Sequence, residues 1–413
     1  MTNVLVIGGL SCIASALVAH LCQLRNDKVD ALDSGLSKSL APLSITVIEK
    51  TPLDIASLPA SYIEKLKTVK YIVGNWNRPE LLEEVMKRQD GQAWDYVFNC
   101  ATECRFGQND HAYKRDILDL AVNIANIAGK NNVGVLIHLS TARVYNTSNT
   151  KRKSAISNAE SSPCFDATEA PNSYIKYYVL AEERLSEISE ANPSLSIVVI
   201  RPALPYGPVD RYYVAPLLMM GQVCHSKKEN MKVLWERGLP VNTVHVEDIA
   251  RAMVATAKWQ RDQVGITEPI SKATLVKFNV ADLGNTTNEK IAEAVSKAFG
   301  IKKSFHDAII NAVAKRMHTQ DLTDEVNESF LGPWMELLAN SNIPDSPLTP
   351  YLDQEHPYCA LGAHPFGVDG SLITKTPGLE FAYKHPNLEY QVLKALVNEM
   401  ITLRLWPDTQ SKG

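Results

Sequence analysis

No run of apolar residues in this 413-residue chain approaches the roughly twenty needed to cross a bilayer, so a membrane-spanning helix is not expected. No basic run goes beyond Lys151-Arg-Lys153, and the formal net charge is -4, which removes nucleic acid as the main partner. The seven cysteines are odd in number and include no Cys-x-x-Cys pair, which excludes a disulfide framework and fits thiols kept reduced. Cys100 and Cys104 lack the spacing and the neighbouring histidines of a zinc site, so no metal is expected. There is no internal repeat. Met1 leads into an apolar strand without a charged leader, and a cytoplasmic protein is the expectation. What remains, 45% hydrophobic and 21% charged residues, is the composition of an ordinary globular enzyme with room for a large core.

The most informative stretch is the first fifteen residues. Val4-Leu-Val-Ile7 reads as a strand buried on both faces, and Gly8-Gly9 supplies the tight turn into a helix that begins near Ser11. Such a turn lets the backbone approach a pyrophosphate lying against the helix N-terminus. Ser11 stands where a further glycine suits that role, and its side chain is expected to intrude on the phosphates. A second strand, Ile45 to Ile48, ends at Glu49, where an acid suits ribose hydroxyls, while the adjacent Lys50 suits a 2′-phosphate. The choice between NAD and NADP stays open.

Further strands are expected at 69–73, 96–98, 133–139 and 195–200, alternating with helices at 15–24, 79–88, 113–129 and 174–191. That alternation predicts an α/β fold: a doubly wound parallel sheet of the Rossmann type, with ligands at the carboxyl ends of its strands. Residues 1–260 are read as the dinucleotide-binding domain. Residues 261–413 are read as a smaller, mainly helical α/β substrate-binding cap, whose strand at 276–280 joins the sheet. The polar stretch 25–42 reads as an insertion, and 344–386, rich in Pro and Gly, as irregular structure packed over the first domain. The apolar cluster that includes Tyr212, Tyr213, Leu217, Met219, Met220 and Trp235 reads as core or as the wall of an apolar pocket.

Several landmarks now stand in order: Gly8-Gly9 with Ile13-Ala14; Ser140-Thr141-Ala142-Arg143-Val144-Tyr145; Tyr174 with Ala181-Glu182; Arg201-Pro202-Ala203 with Tyr206-Gly207-Pro208; and Val244-His245-Val246-Glu247-Asp248. This set resembles the extended short-chain dehydrogenase/reductase family, which includes NAD-dependent sugar epimerases and dehydratases, over roughly residues 1 to 300. The resemblance implies a cofactor, NAD or NADP, held along Gly8, Gly9, Ser11, Ile13, Glu49, Asn75, Ala101 and Pro202. It implies catalysis by a hydroxyl pair, Thr141 and Tyr174, assisted by a lysine four residues after the tyrosine. Here that position holds Tyr178, a neutral phenol, and Lys176 is turned to another side of the helix. Asn75 replaces the family's aspartate after the third strand, Asp116 stands for an asparagine of the central helix, and Asn99-Cys-Ala101-Thr102 replaces a His-x-Ala-Ala segment.

Together these exchanges point to cofactor binding that is weakened or lost. The reading they favour is non-redox acid/base or hydrogen-bond catalysis on a small apolar molecule, an isomerisation, dehydration or cyclisation of the kind found in specialised metabolism. Tyr174, Thr141 and Tyr178 would serve it, with Glu103 and Arg105 as an added acid/base and an anion-stabilising group. An NAD(P)-dependent oxidoreductase or epimerase with a variant site, and a non-catalytic ligand-binding or regulatory protein, are the alternatives. A homodimer through the helices at 113–129 and 174–191 is an assembly the resemblance allows.

Overall fold

The computed structural model describes residues 2–40, 43–52, 58–147, 157–263, 275–362 and 364–407. In chain order the strands are β1 (Thr2–Ile7), β2 (Leu43–Glu49), β3 (Lys70–Val73), β4 (Tyr96–Asn99), β5 (Val135–Leu139), β6 (Ser196–Pro202), β7 (Leu204–Tyr206), β8 (Met231–Val233), β9 (Thr243–His245), β10 (Leu275–Val280) and β11 (Lys303–Phe305). The helices are α1 (Cys12–Arg25), α2 (Ser34–Leu40), α3 (Ala60–Leu66), α4 (Pro79–Met86), α5 (Asp110–Tyr113), α6 (Leu120–Lys130), α7 (Ser173–Ala191), α8 (Ala215–Lys227), α9 (Val246–Gln263), α10 (Asn288–Phe299), α11 (Ala308–Ala314), α12 (Thr319–Ala339), α13 (Pro357–Ala360), α14 (Leu372–Lys375) and α15 (Tyr390–Thr402).

Seven parallel strands form one sheet in the order β10-β6-β5-β4-β1-β2-β3, the doubly wound arrangement expected from the alternation. The order reverses between β1 and β4, which opens a crevice at their carboxyl ends. Both faces are covered, and the side chains of a single strand divide between two cores. Val4 and Val6 join the cluster that includes α1 and α9, whereas Leu5 and Ile7 join the one that includes α4 and α6. A strand with two dry faces needs an uninterrupted apolar run, which is what the sequence supplies there.

As expected, the late strand β10 pairs with β6, Leu275 opposite Ile197. Nearby, β8 pairs with β11, so a strand from before residue 260 and one from after it share a small second sheet. The Pro/Gly-rich segment packs as irregular structure with two one-turn helices, tied down by the Asn242 amide bonding to the Phe366 carbonyl at 2.9 Å.

Helix α1 begins at Cys12, at the place expected from the glycine turn, with Ser11 as its N-cap. Two local readings need correcting. The supposed insertion contains α2, which buries Leu36, Ser37 and Leu40, and Asp33 just before it meets Arg251 of α9 at 2.9 Å. The helix expected at 113–129 runs unbroken over 110–130, but Lys114–Asp119, between α5 and α6, is wound as a wider π turn. No helix among the described residues is long and apolar enough to cross a membrane.

Candidate active site

The turn after β1 is shaped for close approach. Gly8 has φ +82°, and a Cβ there would stand 2.5 Å from the Ala101 Cα; a Cβ on Gly9 would stand 2.2 Å from a Val47 methyl. Neither position tolerates a side chain. The turn opens on a cavity of about 190 Å³, walled by Leu10, Ser11, Cys12, Ile13, Thr102 and Tyr213. Ser11 lines this space, but its hydroxyl oxygen is engaged, accepting from the Ala14 amide at 3.2 Å. The side chain expected to obstruct the turn therefore also starts α1.

Glu49, buried at the end of β2, accepts from the Leu10 amide at 3.0 Å with one oxygen and from the Lys50 amide at 2.7 Å with the other. It braces the glycine turn from below. Burial pushes its carboxyl up, against the pull of those two amides. Lys50 is also committed: its ammonium lies 3.3 Å from Asp116 and 4.7 Å from the Trp76 ring centre. Asp116, presented by the π turn, accepts in addition from Arg115 and Asn77. Asn75 is exposed and accepts from the Asn77 amide at 3.1 Å.

Thr141, just past β5, and Tyr174, in the first turn of α7, face one cavity, as expected. It holds only about 30 Å³, room on the scale of a single water. Arg143, Tyr178 and Pro202 line it too, and Ile13, Thr102, Leu139 and Tyr213 are shared with the space at the glycine turn. Tyr178 is tied across the floor: its hydroxyl and that of Thr102 lie 2.7 Å apart. Its ring packs edge-on against Tyr174 at 4.9 Å. Lys176 lies 5.1 Å from the Tyr177 ring and does not line the cavity. Burial pushes the Tyr174 phenol up to about 12 although Arg143 pulls the other way, so at neutral pH the group is a proton donor.

Glu103 and Arg105 do not join this group. They grip each other, Arg105 Nε to Glu103 Oε1 at 2.9 Å and Nη2 to Oε2 at 2.7 Å, and neither lines the cavity with Tyr174. Pairing two residues apart in a loop satisfies both charges without a ligand.

Arg143 is the residue that sequence reasoning missed. Its guanidinium stands 5.3 Å from the Tyr174 ring and 5.4 Å from that of Phe106, and its Nη2 donates to the Glu355 carbonyl at 2.8 Å. Among the described residues no carboxylate pairs with it, and its buried Nη1 has no hydrogen-bond partner. Burial works against its charge. The available signal was a lone cation two residues beyond Thr141, within a turn whose other members, Ala142 and Val144, are buried.

Beside Thr141, four of the landmark residues, Ser140, Tyr145, Glu182 and Arg201, belong to a network that closes on itself. Glu182 of α7 accepts from Arg201 Nε at 2.9 Å and from the Ser140 hydroxyl at 2.6 Å, and Lys277 reaches it at 3.1 Å. Arg201 also donates to the Tyr145 hydroxyl at 2.8 Å, which in turn reaches Asn279 at 2.7 Å. A sequence model of the NAD dependent epimerase/dehydratase family matches residues 4–267. The chain belongs to that family. Its fold is similar to that of a UDP-Glc/GlcNAc 4-epimerase from Campylobacter jejuni, with a TM-score of 0.60 and 17% identity, covering 97% of this chain and 100% of that one. It is also similar to UDP-glucose 4-epimerases from Bifidobacterium longum, solved with NAD+ and UDP (TM-score 0.54, 20% identity, 74% of this chain and 86% of that one), and from Thermus thermophilus, solved with NAD (0.52, 17%, 74% and 86%). No curated protein matches the sequence. At these identities the likeness is one of fold, and the chemistry of this family member rests on its own side chains.

Proposed function

We propose that this family member is an enzyme that works by proton transfer and oxyanion stabilisation on a carbonyl compound, without hydride transfer, as in an isomerisation or dehydration. The observation that carries the reading is that a protonated Tyr174 and Arg143, one of whose nitrogens is buried without a partner, line one cavity. A phenol and a guanidinium that both donate to one carbonyl oxygen polarise it and hold the enolate that forms when a water molecule takes up the neighbouring proton, a role for which the cavity lining supplies no carboxylate or imidazole. Thr141 supplies a second hydroxyl. The walls around them, Ile13, Phe106, Leu139, Tyr213 and Phe366, favour a substrate that is apolar around the reacting carbonyl.

Of the dinucleotide that names the family, this chain suits one end. Gly8, Gly9 and the start of α1 form a cradle for a pyrophosphate. Toward Tyr174 the residues do not suit a nicotinamide ribose: the lysine is absent, and the Tyr178 phenol in its place is bonded to Thr102. No step is therefore assigned to a nicotinamide. Oxidoreduction or epimerisation with NAD(P) is the second reading, favoured by the retained Gly8-Gly9 turn.

Proton exchange tests the two. Nucleotide-stripped protein incubated in D2O with a panel of ketones, enones and 1,3-dicarbonyls is expected to label the carbon next to the carbonyl of its substrate, read by NMR. Tyr174→Phe should abolish labelling, and Arg143→Gln should slow it about 10²-fold or more. Turnover that appears only with added NAD(P), or that oxidises NAD(P)H in step with product, would establish the second reading instead.

A further inference from the structure

The largest cavity described lies away from the crevice, between α8, β8, α11 and α12. At about 890 Å³ it has the capacity of a small-molecule site, far above the 190 and 30 Å³ of the crevice. Its interior is apolar and adaptable: Met220, Val223, Met231, Leu322, Val326 and Phe330 line it, and methionines reshape readily around an occupant. On its lip α11 leaves Ile310 and Val313 43% and 54% exposed, so apolar surface runs out of the groove into water.

The groove also carries charge. Lys227, Lys228 and Lys232 line it and are exposed, and none is seen in an ion pair among the described residues. Glu229 and Glu325 also line the groove, so its charge is mixed, with the lysines in excess.

We propose that this groove binds a single-chain amphipathic anion, such as a fatty carboxylate, with its tail among the methionines and its head at the three lysines. The groove has room for a ligand of that size, the methionines and Val223, Leu322, Val326 and Phe330 suit an apolar tail, and the unpaired ammonium groups complement an acid head. The groove is also coupled in space to the catalytic crevice. Tyr358 of α13 lines the groove, while the adjacent Pro357 lines the cavity of Tyr174. An occupant thus abuts the one-turn helix that walls the candidate active site. The proposal does not depend on the reaction assigned to that site.

The test is titration of the full-length protein with cis-parinaric acid, followed by fluorescence, with dodecanoate and dodecanol as competitors. Saturable binding of one probe per chain, displaced by dodecanoate, is expected. Val313→Trp and Ser329→Trp, at the lip and at an exposed lining position, should each weaken binding at least tenfold with an unchanged circular dichroism spectrum. Replacing Lys227, Lys228 and Lys232 together by Gln should weaken dodecanoate at least tenfold and leave dodecanol unaffected. Absence of saturable binding, or binding indifferent to both Trp variants, overturns the proposal. So does equal loss of acid and alcohol in the lysine variant. A dimer in sedimentation that Ile310→Glu dissolves would show that a second copy covers the groove, and would overturn it likewise.

Discussion

Two polar groups lie a few residues apart along the same elements and are built to opposite rules. Around Glu182 and Arg201, charges sit in the core with their partners in place: Ser140, Tyr145 and Lys277 surround them at hydrogen-bond distance, and Asn279 accepts in turn from Tyr145. Around Tyr174, about two helical turns earlier on α7, a phenol replaces the family's lysine and a guanidinium is left with an unpartnered nitrogen. The first arrangement holds β5, β6, β10 and α7 together and needs nothing from outside. The second is incomplete by itself, and a buried donor without an acceptor costs free energy that a ligand's oxygen would recover. The difference teaches which landmarks belong to scaffold and which to chemistry. Of the landmarks, Ser140, Tyr145, Glu182 and Arg201 close on one another, whereas Thr141 and Tyr174 face the crevice together with the exchanged Tyr178.

The contrast is broken most forcefully by Glu182→Ala. Removing one member of a buried pair strands Arg201, and a loss of about 3–5 kcal/mol of stability is expected in urea unfolding. A variant that unfolds within 1 kcal/mol of the parent (about the cost of an exposed ion pair) would mean the network is ornamental. The same carboxylate sets an acid limit. Burial opposes its charge, but Arg201, Lys277 and Ser140 outweigh that and hold it down to about 2. Its contribution is therefore fully present above about pH 4.3, the unfolded value, and is lost as the pH falls toward 2. An acid-unfolding midpoint that does not move in the Glu182 variant would remove this assignment.

Tyr178→Phe tests the tie across the crevice floor. Losing the hydroxyl leaves Thr102 without that partner, and about 1–2 kcal/mol is expected in the same assay. If the bond also keeps the nicotinamide end closed, calorimetry should register tighter NAD(P) binding than in the parent. The smallest effect on stability is expected at Arg143. Arg143→Met removes a cation without a carboxylate partner and keeps an apolar stem, so stability should stay within about 1 kcal/mol of the parent or rise above it. The labelling reaction should nevertheless disappear. Equal damage to folding from Arg143→Met and Glu182→Ala would erase the distinction between the two groups.

Much of the fold was legible because it is local. Four apolar residues in a row announced β1, and strand ends coincided with Glu49, Ser140 and Arg201, so the sheet and the facing of Thr141 with Tyr174 could be anticipated. The failures were also local in form but non-local in cause. Helix α2 lies in a stretch too polar to show a helical period, and it forms where Leu36 and Leu40 find a core to enter. Ser11 was read for what it would obstruct, although Ser is also among the best residues to start a helix. The π turn at Lys114–Asp119 has no signature in hydrophobic spacing.

By itself the sequence determined the parallel sheet and the glycine turn after its first strand, and its likeness to the family marked the position where a tyrosine stands in place of lysine. The sheet and the turn follow from residue type and spacing, which act over a turn or a strand. Tertiary structure alone decided which charges are spent and which are free. Glu103 and Arg105, candidates on paper, pair with each other, while Arg143 is brought between Tyr174 and the carbonyl of Glu355, 212 residues away, with one nitrogen unpartnered. The physical reason is that a side chain's chemistry depends on what surrounds it in three dimensions, and contacts of that range leave no periodic trace along the chain.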